Sequence, residues 1–534
     1  MVPRNAFSSG SQAPAWEPGG VGSSASESAF ELRSGKQSFQ DHPYPSGSLD
    51  TRKDPPLTRR AMLQQMGMGF GMFALGGLMQ SESLRAATAG SRGPLGGRTQ
   101  RLRTGHFPAR AKSVIMLLQS GGPSQMDLFD PKPTLARLEG KVHHEKVEMF
   151  QPGSEGNKLL PGAFSFAKHG ECGMEISEAL PHLAGMADDL CMIRSMHTGH
   201  NNHTEALVML TSGKIFPGRP TFGSWISYAL GTENQNLPGF VVLRDPQGYP
   251  GTGATLWQNG WMPAVFRGTE FRAEGEPLSN LKPPADLPAG AIRDDLEFLA
   301  RLNRRHQENY SRNSALEARI QNYELAARMQ LAASDELDLS KESRATRKLY
   351  GLDDAATSSY GLRCLMARRL VESGVRFVMV FPAPGNPWDS HKDSLTEIEG
   401  IAAKTDLPTA GLIADLKHRG LLDETVVLWS GEFGRLPVSQ NGKGRDHNRN
   451  AFTAIVAGGG FKAGCSYGAT DDVGYRSVEN PVGVNDLFAT ILHQLGIDHD
   501  QLTYHHHGRH ESVTDSPVTE AKVVGELIDS PLMI

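Results

Sequence analysis

The chain has 534 residues and a formal charge of -5, so it lacks the net basic field that nucleic-acid binding draws on. Its hydrophobic content of 38% is ordinary, and 59 glycines favour numerous tight loops over a helical bundle. The four cysteines (Cys172, Cys191, Cys364, Cys465) show no CxxC spacing, which argues against a thiolate zinc site; buried free thiols are expected, with a Cys172–Cys191 disulfide as the alternative in an oxidising compartment.

Residues 1–56 are rich in Ser, Gly, Pro and charge without periodicity and read as a disordered N-terminal extension. Residues 57–90 change character: paired Arg59–Arg60, a glycine-rich apolar stretch over 66–79, then small residues at Ala87-Thr88-Ala89. This is the layout of a twin-arginine-type signal peptide. Its apolar stretch is shorter than the roughly twenty residues of a membrane span. Export to the periplasm or cell envelope is therefore expected, with the twin-arginine machinery as partner and no stable membrane span after signal removal. The alternative is a short amphipathic helix in a cytoplasmic protein. Because the signal lies far from Met1, the translation start is expected downstream of Met1. Residues 91–111 read as a linker.

From residue 112 the pattern alternates between strand and helix. KSVIMLL (112–118) is a continuous apolar run that fits a strand buried on both faces. Further strands are expected at DLCMIR (189–194), GFVVL (239–243), GVRFVMVF (374–381), ETVVLWS (424–430) and FTAIVAGGG (452–460). Helices are expected at 360–373, 406–419 and 484–495. Such alternation predicts a three-layer α/β/α fold with a mainly parallel central sheet over residues 112–510. A charged, helix-favouring segment at about 292–349 reads as a helical insertion, and 511–534 as a C-terminal tail. Three acidic-histidine clusters, WDSH (388–391), GEFGR (431–435) and GRDHN (444–448), lie beside these strands. Loops at strand ends are where an α/β sheet builds metal or catalytic sites.

Seven strings in order (SGGPSQMDLFDPKP, RPTFGSWISYALGTENQNLPGFVVL, WDSH, SGEFGR, GRDHN, IVAGGGFKAG, PVGVNDLFATILHQLGI) resemble the exported domain-of-unknown-function 1501 family. That family is sulfatase-like and belongs to the alkaline phosphatase superfamily. The resemblance implies an alkaline phosphatase/sulfatase-like fold with metal above the carboxyl ends of the strands. By analogy it implies hydrolysis of phosphate or sulfate esters.

Superfamily enzymes hold two metal ions and a nucleophile at a helix start. One metal takes an Asp and a His from one loop and a distal His, which the resemblance carries onto Asp389, His391 and His447. Here the first two stand as Asp-x-His, tighter than the usual Asp-x-x-x-His. Two imidazoles and a carboxylate with an open fourth position suit catalytic zinc; calcium and manganese are alternatives. Asp446 is either a ligand or an orienting group. The second metal normally uses an Asp at the first strand's end, where this chain has Gln119-Ser120-Gly121-Gly122, with Asp127 and Asp130 as the nearest substitutes. It also uses an Asp-His pair, which here reads Glu432-Phe433, so Glu432 is a ligand or a base. The nucleophile position falls at Asn202 or His203, near Thr204 and Thr198, at the start of an expected helix whose N–H groups favour an anion.

His197, His200 and His203 are candidate replacement ligands or general bases, or cap residues with no such role. Arg435 is either an oxyanion clamp or an ordinary ion pair. Ser120 and Ser124 are expected to close turns, Asp486 to cap its helix, and the histidines at 505–507 and 510 to occupy an exposed loop. The leading expectation is an exported metal-dependent hydrolase acting on a small-molecule or polysaccharide ester, with a metal-activated water or Thr204 attacking. The alternatives are a catalytically degenerate metal-containing binding protein and a metal-independent envelope protein.

Overall fold

The apolar runs pair into one nine-stranded sheet. The protein is described by a computed structural model over residues 105–275, 277–278, 289–310, 314–332 and 337–529. The chain divides into Met1–Thr88 and Ala89–Ile534. Every described residue belongs to the second unit, and the expected extension at 1–56 and signal at 57–90 lie outside the described residues.

In chain order the first strands are β1 (Ser113–Leu118), β2 (Leu190–His197), β3 (Phe240–Leu243), β4 (Thr269–Glu270), β5 (Phe377–Val380) and β6 (Thr425–Ser430). A separate hairpin, β7 (Gly434–Gln440) and β8 (Gly444–Asn448), follows. β9 (Phe452–Ala457), β10 (Cys465–Tyr467) and β11 (Val482–Gly483) return to the sheet. Spatial order is β10-β2-β9-β6-β1-β5-β3-β4, with β11 also on β2. All pairings are parallel except the two made by β9.

The strand side chains alternate between two apolar layers, as a sheet covered on both faces requires. Ile115 and Leu117 of β1 face the layer containing Leu365, Leu370, Leu412 and Leu416. These come from α5 (Ser358–Glu372) and α6 (Ser394–His418). Val114, Met116 and Leu118 face the other layer, with Leu207, Trp225 and Phe488. Those belong to α1 (His203–Ser212), α2 (Phe222–Leu230) and α7 (Val484–Gln494). The expected three-layer fold with a mainly parallel sheet is the observed one.

Several boundaries differ from expectation. α6 starts twelve residues before the expected 406, at Ser394, with Asp393 capping the N–H groups of Leu395 and Thr396. Pro408 sits inside this helix, where burial of Ile401, Leu412 and Ile413 offsets the lost backbone bond. The segment expected as an insertion carries α3 (Ala289–Asn309) and α4 (Ser314–Ala332). The expected tail does not begin at 511: Val513, Val524, Leu527 and Ile528 are buried in the layer of α7, because scattered apolar residues there cover the sheet margin. No helix among the described residues is long and apolar enough to cross a membrane.

Candidate metal centre

Four strand ends converge at one edge of the sheet. β1 ends in Gln119, whose side chain accepts the Trp388 indole N–H at 2.9 Å, and Ser120, whose carbonyl accepts the Trp388 backbone N–H. Trp388 is buried, and these bonds fix the WDSH loop that follows β5. Gly121 lies in the stretch 119–122, where the resemblance expects a carboxylate. Its φ is +114°, and a Cβ there would lie 2.6 Å from the Trp388 nitrogen, so glycine is required for the loop to approach this closely. Its N–H donates to both oxygens of Glu432 beyond β6.

GRDHN is not a loop: it is strand β8, antiparallel to β7 with an irregularity between Arg445 and His447. Three residues of β7, Leu436 to Val438, oppose the single Asp446 of β8 there, and Pro437, which cannot donate a ladder bond, is among them. The irregularity turns His447 toward the WDSH loop.

Together His203, Asp389, His391 and His447 offer donor atoms that all lie within 4.8 Å of one another. His391 Nε2 is 2.9 Å from Asp389 Oδ1 and 2.9 Å from His447 Nε2. His447 Nε2 is 3.3 Å from Asp389 Oδ1, and His203 Nε2 is 3.2 Å from Asp389 Oδ2. Metal–donor bonds of about 2.1 Å in a tetrahedral shell imply donor separations of about 3.4 Å, close to those seen.

Each imidazole is also aimed from behind. Nδ1 of His203 bonds to Glu432 at 2.6 Å, Nδ1 of His391 to Gln440 Oε1, and Nδ1 of His447 to the Asn201 carbonyl at 2.6 Å. Acceptors at all three Nδ1 atoms leave the three Nε2 atoms pointing inward, the arrangement that outer partners impose on metal-ligating histidines. His203 Nε2 is buried and faces Asp389 Oδ2 at 3.2 Å, so the residues present fit a cation.

The electrostatics agree. Burial alone would raise Asp389, but bonds from His203, His391 and His447 and the Arg435 charge hold it far below the usual carboxylate range. Burial, opposed in part by the bond to Asp389 and seconded by the Arg435 charge, pushes His447 down to about 3, leaving a neutral imidazole. Burial also works against protonation of His203, yet its bonds to Asp389 and Glu432 outweigh that and raise it to about 9. In the metal-free protein this raised group stabilises the fold fully below about pH 6.5, and the contribution is lost as pH rises through about 9. An entering cation displaces that proton. Metal affinity is therefore expected to rise about tenfold per pH unit up to about pH 9. Competition titrations over that range check this, and a flat response would remove His203 from the donor set.

The structure brings together Asp389, His391 and His447 as expected and adds His203, which the sequence suggested chiefly for catalysis. It does not bring in Asp446. That carboxylate is buried on the backbone N–H groups of Phe150 and Gln151, at 2.7 and 2.8 Å, and so latches the 148–152 loop. The loop in turn stacks Phe150 on His447, with centroids 5.0 Å apart, and sets Gln151 Nε2 3.2 Å from His391 Nε2. Glu432 is not in the donor cluster; it is fully buried and orients His203.

Arg435 does not clamp a substrate oxyanion, because its guanidinium is spent on the carbonyls of Gly121, Gly122 and Arg445 and on Asp389 at 2.7 Å. Thr204 is exposed on the first turn of α1 and makes none of the cluster's contacts; Asn202 caps its N–H. His197 and His200 lie outside the cluster, while Asp127 pairs with Arg445 and Asp130 with Lys132. Phe433 packs 4.9 Å from His203 and 4.5 Å from His447. Ser124 bonds within its turn, to Asp127, but the Ser120 hydroxyl, expected to close a turn, donates instead to the distant Gly385 carbonyl at 3.1 Å; Asp486 caps α7 through the Gly483 N–H, and the C-terminal histidines form an antiparallel hairpin. The roles of Gln440, Asn201 and Phe150 had no sequence signal, since each is distant in the chain from its partner and ordinary in type.

A mainly parallel α/β/α sheet with an Asp–His cluster beyond its strand ends defines an α/β protein with one candidate metal site among the described residues. Residues 111–528 match the family described as "Protein of unknown function (DUF1501)", and the chain belongs to that family. No curated protein matches the chain. Among solved structures, a lipoteichoic acid synthase from Listeria monocytogenes is similar at 12% identity and TM-score 0.28, over 74% of this chain and 76% of that one. A phosphonate monoester hydrolase from Silicibacter pomeroyi follows at 13% and 0.29, over 65% and 73%. A sulfatase from Pseudoalteromonas sp. follows at 12% and 0.31, over 73% and 68%. Likeness of this degree carries no argument about chemistry.

Proposed function

We propose that the protein is an exported hydrolase of phosphate or sulfate esters that works with one divalent metal, zinc being the metal best suited to three imidazoles and a carboxylate. The observation that carries this reading is the convergence of three Nε2 atoms on Asp389, each ring aimed by an acceptor at Nδ1. A divalent ion held there supplies Lewis acidity toward an anionic ester oxygen. His203, Asp389, His391 and His447 hold it, with Glu432 and Asn201 fixing two of the rings. The N-terminus of the ten-residue helix α1 lies beside the cluster and favours an anion. Phe150 and Phe433 shield the imidazoles from water. No side-chain nucleophile belongs to the cluster, so water is the attacking group in this reading. Export rests on the Arg59–Arg60 signal pattern and places the substrate, a small-molecule or polysaccharide ester, outside the cytoplasm.

A second reading, a metal-holding protein without turnover, is favoured by one observation. Glu432 is committed to Gly121 and His203, and Phe433 fills the adjoining space, so no second cation site is built beside the first among the described residues. Zinc-loaded full-length protein assayed on aryl phosphates and aryl sulfates separates the two. Turnover that chelation abolishes and His447→Ala reduces at least a hundredfold is expected. Stoichiometric metal with no turnover on either ester class would reject hydrolysis in favour of the second reading.

A further inference from the structure

Away from the metal centre, two cysteines face each other at the margin of the sheet. We propose that Cys191 and Cys465 form a redox-controlled disulfide that fastens edge strand β10, and the chain following it, to β2. The two residues are direct register partners on neighbouring parallel strands. Direct partners project to the same face, and both side chains lie in the apolar layer of α7, Cys191 buried and Cys465 partly so. Neighbouring strands stand about 4.8 Å apart, inside the ~4.4–6.8 Å Cα separation that a disulfide spans.

The pair is chemically asymmetric. A hydrogen bond from Cys191 and the nearby Lys462 charge favour the Cys465 thiolate, while that contact and burial disfavour a thiolate at Cys191. Half-exposed Cys465 is therefore the attacking thiol and buried Cys191 the resolving one. Cys172 is also near, since a Cβ at Gly464 would lie 3.1 Å from its Cβ. Burial and Asp188 keep Cys172 as a thiol, however, so it takes no part. Cys364 lies in the opposite layer.

The oxidant is an external disulfide, either low-molecular or on a thiol oxidase. Cys465 thiolate attacks one of its sulfurs, forming a mixed disulfide and releasing one thiolate. Cys191 then gives up its proton and attacks the Cys465 sulfur, forming the Cys191–Cys465 bond and expelling the second thiolate. Two protein thiols lose two electrons and two protons, and the oxidant becomes two thiols. The bond closes over a region where the 527–528 segment meets the sheet margin: Phe461 bridges Ile528, and the Leu527 carbonyl is 4.0 Å from Cys191 Sγ. An edge strand held on one side only is where a sheet frays or pairs wrongly, and a covalent link there removes that freedom.

Reduced full-length protein treated with glutathione disulfide tests this. The expected product is lighter by two hydrogens, shields two thiols from alkylation after denaturation, and yields a linked Cys191–Cys465 peptide. Its melting midpoint rises by about 3 °C or more. Cys172→Ser retains the link and Cys465→Ser loses it. Four alkylatable thiols, a link through Cys172, or a persistent glutathione adduct at Cys465 would each overturn the pairing. A link that leaves the melting midpoint unchanged would overturn the fastening role. If Cys465→Ser fails to fold, the peptide map of the unsubstituted protein still decides.

Discussion

Replacing Asp389 with asparagine is expected to lower affinity for zinc at least about a thousandfold and to leave the folded chain essentially metal-free. Asp389 is the only anion among the four donors, and it sits between three imidazoles and the buried guanidinium of Arg435. Asparagine keeps the shape but removes the charge, so a dication would face three neutral or positive rings and an unpaired arginine. Outer partners of metal ligands alone typically govern about 10–100-fold in affinity; the charged donor itself must exceed that. The measurement is metal content per folded chain, supported by chelator competition. The unsubstituted protein should hold one ion and not two. Half an ion or more retained by the asparagine variant would show that the cluster is not the metal site.

The second large effect concerns a carboxylate that the sequence offered as a substitute ligand. Asp127→Ala is expected to destabilise the fold by about 3–5 kcal/mol while leaving metal per folded chain unchanged. Asp127 and Arg445 form a buried ion pair with no solvent exposure on either side chain, at 2.8 Å through Arg445 Nε. Asp127 further accepts from Ser124 and from the Ala163 N–H at 2.8 Å. Removing one member of such a pair leaves the other charged and buried, which is why the cost falls in that range. Denaturant unfolding gives the first quantity and metal analysis of the folded fraction the second. Loss of metal without loss of stability would return Asp127 to the ligand set.

These two carboxylates illustrate what sequence patterns resolve at such a site. Asp389 lies in a short motif with a histidine two residues on, so its chemistry is local and legible. Asp127 and Asp130 looked equally available, being polar residues in a glycine-proline turn. Their partners, Arg445 and Lys132, cannot be told from other cations without knowing what packs where. The same limit applies to Asp446 and His447, adjacent in GRDHN and both plausible ligands. The β7–β8 irregularity points His447 at Asp389 and sends Asp446 to the 150–151 backbone. Arg435 was legible as a cation near the site, but its donors are consumed by carbonyls that only the folded loops bring within reach.

The sequence by itself determined the layered α/β architecture and the location of the main strands, and its short motifs put forward three of the four residues that the fold gathers into the candidate metal cluster. Those properties follow from local apolar runs and short motifs, and burial on both sheet faces dictates them residue by residue. Only the tertiary structure brings His203 to the other three candidate donors, sets Glu432 and Gln440 on ring nitrogens behind the cluster, and packs Phe433 and Gly121 beside Glu432. It also decided that Cys191 faces Cys465 and not Cys172. Each of these depends on strand order and loop approach between segments far apart in the chain. Pairing across a sheet is fixed by the burial of whole faces, which leaves no mark at the paired residues themselves.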